Sequence, residues 1–307
     1  MLDINFAERI SDLYVEHPKV KQIWRILDSR RVHRKIGQGK NSPMHLFVIG
    51  DGGVGKTQMA LHYINKSPSY TWKNEQGTEI EIMPIVYVEL PNPFTVGEFF
   101  QSIVKELGAP PLAGRPTIGE IKRQAFTLLK KQQVEMLIFD EMDHILSANT
   151  SNKAAMDAIK HVANQSGVSV VCMGTPASDK LRKLDFQIFR RLPVARLERF
   201  AECDQEFCSL LTTIEEQISP PRQLGLGNTD SGLPQLLHKW SKGIVGLLTP
   251  IVQEAYARLG VFNENFDFDT FKSSEQSSPK AFLQACIEAK EINGDADDQE
   301  FEKIMTR

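Results

Sequence analysis

His45-Leu46-Phe47-Val48-Ile49-Gly50-Asp51-Gly52-Gly53-Val54-Gly55-Lys56-Thr57-Gln58 is the stretch on which the reading of this chain turns. Its first five residues are a short, mainly apolar run cut off by glycine, the pattern of a strand buried on both faces. Gly50 to Thr57 then match G-x-x-x-x-G-K-[ST] in full, and the residues from about Lys56 to Ile64 read as a helix. Strand, glycine-rich loop and helix in that order make a phosphate-binding loop. Glycine lets the backbone curl until consecutive N–H groups point inward at phosphate oxygens, and the helix N-terminus adds partial positive charge. Lys56 is expected to reach the β and γ phosphates of ATP, and the Thr57 hydroxyl to ligate Mg²⁺. Gly50, Asp51, Gly52, Gly53, Val54, Gly55 and Gln58 are expected to complete the cradle.

Further along, Met136-Leu137-Ile138-Phe139 is an apolar strand that ends in the carboxylates Asp140 and Glu141, the layout of a Walker B element. Asp140 is expected to hold Mg²⁺ through water, and Glu141 to polarise the attacking water. Asp143 can serve as an acidic N-cap for the helix that follows. The string Asp140-Glu141-Met142-Asp143-His144 also resembles the DExD/H box of helicases. Such helicases need a second domain with its own parallel sheet, and only helical patterns remain after Phe200. Val168 to Met173 form another buried strand running into Gly174-Thr175-Pro176. The Thr175 hydroxyl is thereby placed at the carboxyl edge of the sheet, the sensor 1 position, where ligands of such sheets bind. Arg190 and Arg191 precede a last short strand, where an arginine finger would project toward a neighbour's ATP, with Arg191 the preferred of the two. A guanidinium suits that role because its fixed fork can bond two phosphate oxygens. Gly243-Ile244-Val245-Gly246 opens a lid helix, but Leu247 stands where an arginine is expected.

These strands, with a further one at Ile85 to Leu90, alternate with expected helices at Thr95–Leu107, Thr117–Lys131 and 151–165. Alternation of this kind implies a parallel sheet. The expected architecture is an α/β P-loop sheet sandwiched by helices, with a C-terminal helical lid. Four segments are expected: a helical lead-in at 1–44, the ATPase core at 45–200, the lid at 201–291 and a loosely ordered acidic tail at 292–307. The chain has 307 residues, 41% hydrophobic and 24% charged, with a formal net charge of -3. That balance excludes a uniformly basic nucleic-acid coat and leaves only a local DNA surface. No segment approaches the ~20 apolar residues that span a bilayer, and the first residues lack a signal-peptide layout, so a cytoplasmic protein without a membrane partner is expected. Cys172, Cys203, Cys208 and Cys286 include no C-x-x-C pair and read as reduced and structural.

With VIGDGGVGKTQ, VEMLIFDEMDHI, VVCMGTP and GIVGLL in place, the chain resembles the TniB/TnsC family of AAA+ transposition regulators from about Glu8 to Ala257. The resemblance implies an ATP-dependent ring or helical filament with double-stranded DNA in its channel and an arginine finger acting in trans. It also implies a transposase partner that stimulates hydrolysis and disassembly, and a target selector of the TnsD/TniQ kind. Whether targeting is guided by CRISPR machinery or by a DNA-binding protein is left open. DNA-facing positions in such ATPases lie between strand 2 and Walker B, which makes Thr95, Thr117, Lys122 and Arg123 the candidates, through salt-sensitive backbone contacts. The basic cluster Arg30, Arg31, Arg34 and Lys35 reads as a phosphate or partner contact or, preferably, as a solvated helix end. A DNA-independent nucleotide switch and a helicase loader are the competing readings.

Overall fold

The computed structural model describes residues 4–31, 43–73, 77–184 and 190–292. In chain order the elements are α1 (Ile4–Ser11), α2 (Pro18–Arg30), β1 (Leu46–Ile49), α3 (Lys56–Asn65), β2 (Tyr70–Lys73), β3 (Glu79–Ile82), β4 (Ile85–Glu89), α4 (Val96–Glu106), α5 (Ile118–Lys131) and β5 (Met136–Asp140). They continue with α6 (Asp143–Leu146), α7 (Asn152–Ser166), β6 (Ser169–Gly174), α8 (Asp179–Arg182), β7 (Val194–Arg196), α9 (Gln205–Ile218), α10 (Leu233–Ser241), α11 (Val245–Arg258), α12 (Phe268–Ser273) and α13 (Pro279–Ile292). Contacts divide the chain into a sheet unit, Lys19–Gly52 with Lys56–Leu197, and a helical unit, Met1–Pro18 and Glu198–Arg307 with the loop residues Gly53–Gly55.

The sheet unit is built on five parallel strands in the order β4-β5-β6-β1-β7. Strands β1, β5 and β6 are buried at every position, so their unbroken apolar runs follow from having covered faces on both sides. Phe94, Phe99, Phe100 and Phe139 sit together in the core, with Phe99 5.2 Å from Phe139 by ring centroids. Helix α2 is tied on by Trp24, whose Nε1 donates to the Met59 carbonyl at 3.1 Å, and by the Tyr63 hydroxyl, which donates to Asp28 Oδ1 at 2.7 Å.

Arg30 donates to the His45 carbonyl at 3.0 Å, and Arg31 donates to Glu135 at 2.5 Å and Ser67 at 2.7 Å. These two arginines are internal struts rather than a phosphate site or a solvated helix end. Arg34 and Lys35 lie outside the described residues, as does the acidic tail after Ile292.

A hairpin of β2 and β3, antiparallel with Tyr70 opposite Ile82, stands apart from the main sheet. Its apolar face is unevenly covered, Ile82 being buried while Tyr70 and Trp72 are each 44% exposed.

In the helical unit Phe6 from α1 lies against Tyr256, at 5.7 Å between centroids, and Arg9 Nε donates to the Ile218 carbonyl at 2.9 Å. The two N-terminal helices therefore go to different units. Glu215 accepts from the backbone N–H groups of Leu224 (2.5 Å), Gly225 (3.0 Å) and Leu226 (2.7 Å), fixing the proline-rich loop after α9. No strand follows Phe200 among the described residues, and none of their helices is long and apolar enough to cross a membrane. All four cysteines are free thiols, three of them buried.

Candidate nucleotide site

The carboxyl ends of β1, β5 and β6 meet at one edge of the sheet. Gly50 N–H donates to the Gly174 carbonyl at 3.1 Å and Met142 N–H to the Met173 carbonyl at 3.1 Å, so the loop, the acidic segment and Thr175 share one frame. Gly53 and Gly55 have φ of 76° and 95°, the left-handed region that the curl of the loop demands and that favours glycine. Lys56 is folded back within the loop, its Nζ donating to the carbonyls of Gly50 at 2.7 Å and Asp51 at 3.0 Å. Burial lowers its pKa, and the nearby Asp140, Asp143, Glu141 and Asp51 act against that shift.

Asp140 is 1% exposed and its carboxylate is fully engaged. Oδ2 accepts from the Thr57 hydroxyl at 2.6 Å and the Tyr87 hydroxyl at 2.9 Å, and Oδ1 from the Glu141 N–H at 2.8 Å. Burial raises the Tyr87 pKa and the Asp140 charge raises it further. Glu141 takes a φ of 57° and is exposed at the sheet edge, with its pKa raised by burial first and by Asp140 next. Among the described residues no group of three or more His, Cys, Asp or Glu could hold a metal unaided. Thr57 and Asp140 offer one hydroxyl and one carboxylate, hard oxygen donors 2.6 Å apart. That donor set fits Mg²⁺, which prefers few protein oxygens completed by water and substrate phosphates.

Thr175 is held by Asp143. Its N–H donates to Asp143 Oδ2 at 2.8 Å and its hydroxyl to Oδ1 at 2.6 Å. A Cβ on Gly174 would lie 2.4 Å from Ser178 Oγ and 3.1 Å from Asp143 Oδ2, so only glycine allows this packing. Arg191 donates to Asn164 Oδ1 at 2.9 Å, while Arg190 is exposed. Both lie just ahead of β7, whose start pairs with the start of β1, so they sit at the edge opposite the phosphate loop.

Within the helical unit, the step from Gly243 to Gly246 is a close approach of backbones. Gly246 N–H donates to the Gly53 carbonyl at 2.8 Å, and a Cβ on Gly246 would stand 2.3 Å from that oxygen. Leu247 is 39% exposed.

Thr95 and Thr117 are N-caps of α4 and α5, each accepting from the N–H three residues on; Thr117 and Glu120 form a full capping box. Both threonines are exposed, and the two helix starts adjoin, since a Cβ on Gly97 would lie 3.9 Å from Ile118 Cγ1. Lys122 Nζ sits 5.1 Å from the centre of the Phe100 ring. Arg123 is exposed and lines, with Arg115 and Gln124, an open cleft of about 540 Å³.

The sequence pattern of the family described as bacterial TniB protein matches residues 6–202. The chain belongs to the TniB family. No curated protein matches it. Among solved structures, this TniB-family chain is similar to the Aeropyrum pernix ORC1 protein in complex with DNA, at 13% identity and TM-score 0.55 over 89% of this chain and 67% of that one. It is also similar to the ADP form of the Aeropyrum pernix ORC2 protein, at 14% identity and TM-score 0.56 over 90% and 69%. A Walker-type ATPase of Pyrococcus abyssi aligns at 11% identity and TM-score 0.54 over 97% and 77%. The fold is accordingly that of the AAA+ ATPases. Tyr87 and the Asp143 clasp are the members of the site that motif reading missed. The one available signal for Tyr87 was a phenol set in the otherwise aliphatic run Ile85-Val86-Tyr87-Val88, a half-buried ring whose hydroxyl needs a partner.

Proposed function

We propose that this TniB-family chain binds and hydrolyses ATP with Mg²⁺, assembles with copies of itself on double-stranded DNA, and regulates transposition by recruiting a transposase and disassembling on hydrolysis. The observation that carries the reading is the convergence of Lys56, Thr57, Asp140 and Glu141 at one sheet edge in a chain of this family. Gly50 to Gln58 cradle the phosphates, and Lys56 leaves its loop carbonyls for the β and γ phosphates. Bound Mg²⁺ would be held by Thr57 directly and Asp140 through water, and would neutralise charge on the phosphates. Glu141 polarises a water whose oxygen bonds to the γ-phosphorus as the bond to the β,γ-bridging oxygen breaks. ADP leaves with the electron pair, and the water's proton passes to Glu141. Arg190, exposed where Arg191 is engaged with Asn164, is the finger that reaches a neighbour's nucleotide.

Support for DNA comes from the adjoining starts of α4 and α5, which offer two positive dipole ends and two hydroxyls side by side. A backbone phosphate would take the place of the Glu120 carboxylate at Thr117, with Arg123 and Lys122 adding charge. Such contacts carry no sequence information, so target choice belongs to a separate selector of the TnsD/TniQ kind. Electron microscopy of the chain with duplex DNA and a non-hydrolysable ATP analogue tests the reading. Ordered rings or filaments on DNA are expected; particles that stay monomeric and off the DNA would defeat it in favour of a DNA-independent nucleotide switch.

A further inference from the structure

A threonine hydroxyl has one proton to give and two lone pairs to offer. Thr175 has already given its proton, 2.6 Å to Asp143 Oδ1, and its backbone N–H is fixed 2.8 Å from Oδ2 of the same carboxylate. The clasp is built in from all sides: Gly174 has no room for a side chain beside Asp143 and Ser178, Ser178 Oγ donates to the Thr175 carbonyl at 2.6 Å, and the Gly174 carbonyl accepts from Gly50 N–H of the phosphate loop at 3.1 Å. A hydroxyl held this way cannot donate to a γ-phosphate oxygen without abandoning a charged carboxylate that is already set at a short distance.

We propose that Asp143 is a positioning residue that fixes the polarity of the Thr175 hydroxyl, so that Thr175 engages the attacking water as a hydrogen-bond acceptor and makes no bond to the γ phosphate. The water then has two acceptors, Glu141 for the proton it loses and Thr175 for the proton it keeps, which orients its remaining lone pair at phosphorus. This rests on the ATPase reading above and deepens it. It explains why the acidic segment carries a third carboxylate, Asp143, beyond those needed for metal and base.

The test separates turnover from affinity in the full-length protein, using MgATP and MgADP titrations alongside single-turnover hydrolysis. Thr175→Val removes both lone pairs and proton while keeping volume. Its hydrolysis rate should fall about thirtyfold or more while the ratio of ATP to ADP affinity stays within about twofold of wild type. Thr175→Ser, which keeps the hydroxyl, should recover most of that loss. In Asp143→Asn the amide can accept from the Thr175 N–H only by turning its NH₂ toward the hydroxyl, which takes up one of its two lone pairs and releases the proton, so that the hydroxyl is no longer held as an acceptor toward the water. That variant should lose at least about tenfold in rate without losing ATP preference, and adding Thr175→Val to it should cost no more than about a further twofold. A tenfold loss of ATP preference in Thr175→Val would show a γ-phosphate bond and overturn the proposal, as would a wild-type rate in Asp143→Asn. If the wild-type protein binds no MgATP, the ATPase reading falls and the proposal with it. If wild type binds, Lys56→Ala does not, and Thr175→Val hydrolyses normally, the proposal alone falls.

Discussion

In the proposed ATPase Lys56 must release two carbonyls, at 2.7 and 3.0 Å, to meet phosphate. Lys56→Ala is expected to weaken MgATP binding by at least about a hundredfold, measured with a fluorescent nucleotide; near-native affinity would remove the phosphate loop from the account. Glu141→Gln keeps the shape and the hydrogen bonds but loses the base, so it should bind ATP at near wild-type strength and hydrolyse it at least about a hundredfold more slowly. His45 makes a different kind of prediction. It is buried, and its Nδ1 accepts from Val170 N–H at 3.1 Å, which requires the neutral ring. Burial, with the Arg191 and Arg30 charges behind it, holds its pKa at about 4 against an ordinary 6.5. Because the folded value is the lower, His45 stabilises the fold fully above pH 6.5 and that contribution fades as pH falls toward 4, by about 3 kcal/mol at most. Urea unfolding of wild type and His45→Gln across that window should show the shallower pH dependence in the variant; parallel curves would refute the assignment. At this scale the contiguous motifs were legible, because Gly50–Thr57 and Asp140–Glu141 are written in consecutive residues. Asp143 holding Thr175 was not, since it joins residues 32 apart that only the packing of α6 against the end of β6 brings together.

Elements were legible where the chain punctuates itself. Pro84 and Pro91 bound β4, glycine ends β1 and β6, and Thr117 with Glu120 opens α5, each signal acting locally. The β2–β3 hairpin was missed because its strands are only four residues long and the face made by Tyr70, Trp72, Ile80 and Ile82 is left largely exposed, with Ile82 alone buried. The start of α11 shows how a glycine motif can be read correctly for place and incompletely for cause. Gly243 and Gly246 mark the start of α11, and the structure gives a steric reason for both. Gly243 has a φ of 70° and a Cβ there would fall 1.8 Å from the Phe200 carbonyl oxygen. Gly243→Ala should therefore cost more than about 2 kcal/mol through strain and displacement together. Thermal or urea unfolding measures it, and a loss below about 0.5 kcal/mol would mean that α11 does not begin in this way.

For the whole molecule, one sheet edge carries the candidate nucleotide residues and the opposite edge carries Arg190 and Arg191. On the proposed function, with Glu141 as base, Thr57 and Asp140 as metal ligands and Arg190 as finger, the chain cannot complete its own site. The central claim is that each site is finished by a second copy. Mixing two inactive variants tests it most directly: Lys56→Ala supplies an intact Arg190 with no nucleotide site, and Arg190→Ala supplies an intact site with no finger. On duplex DNA the mixture should hydrolyse ATP at least about tenfold faster than either variant alone. A mixture no faster than the sum of its parts would contradict a shared site.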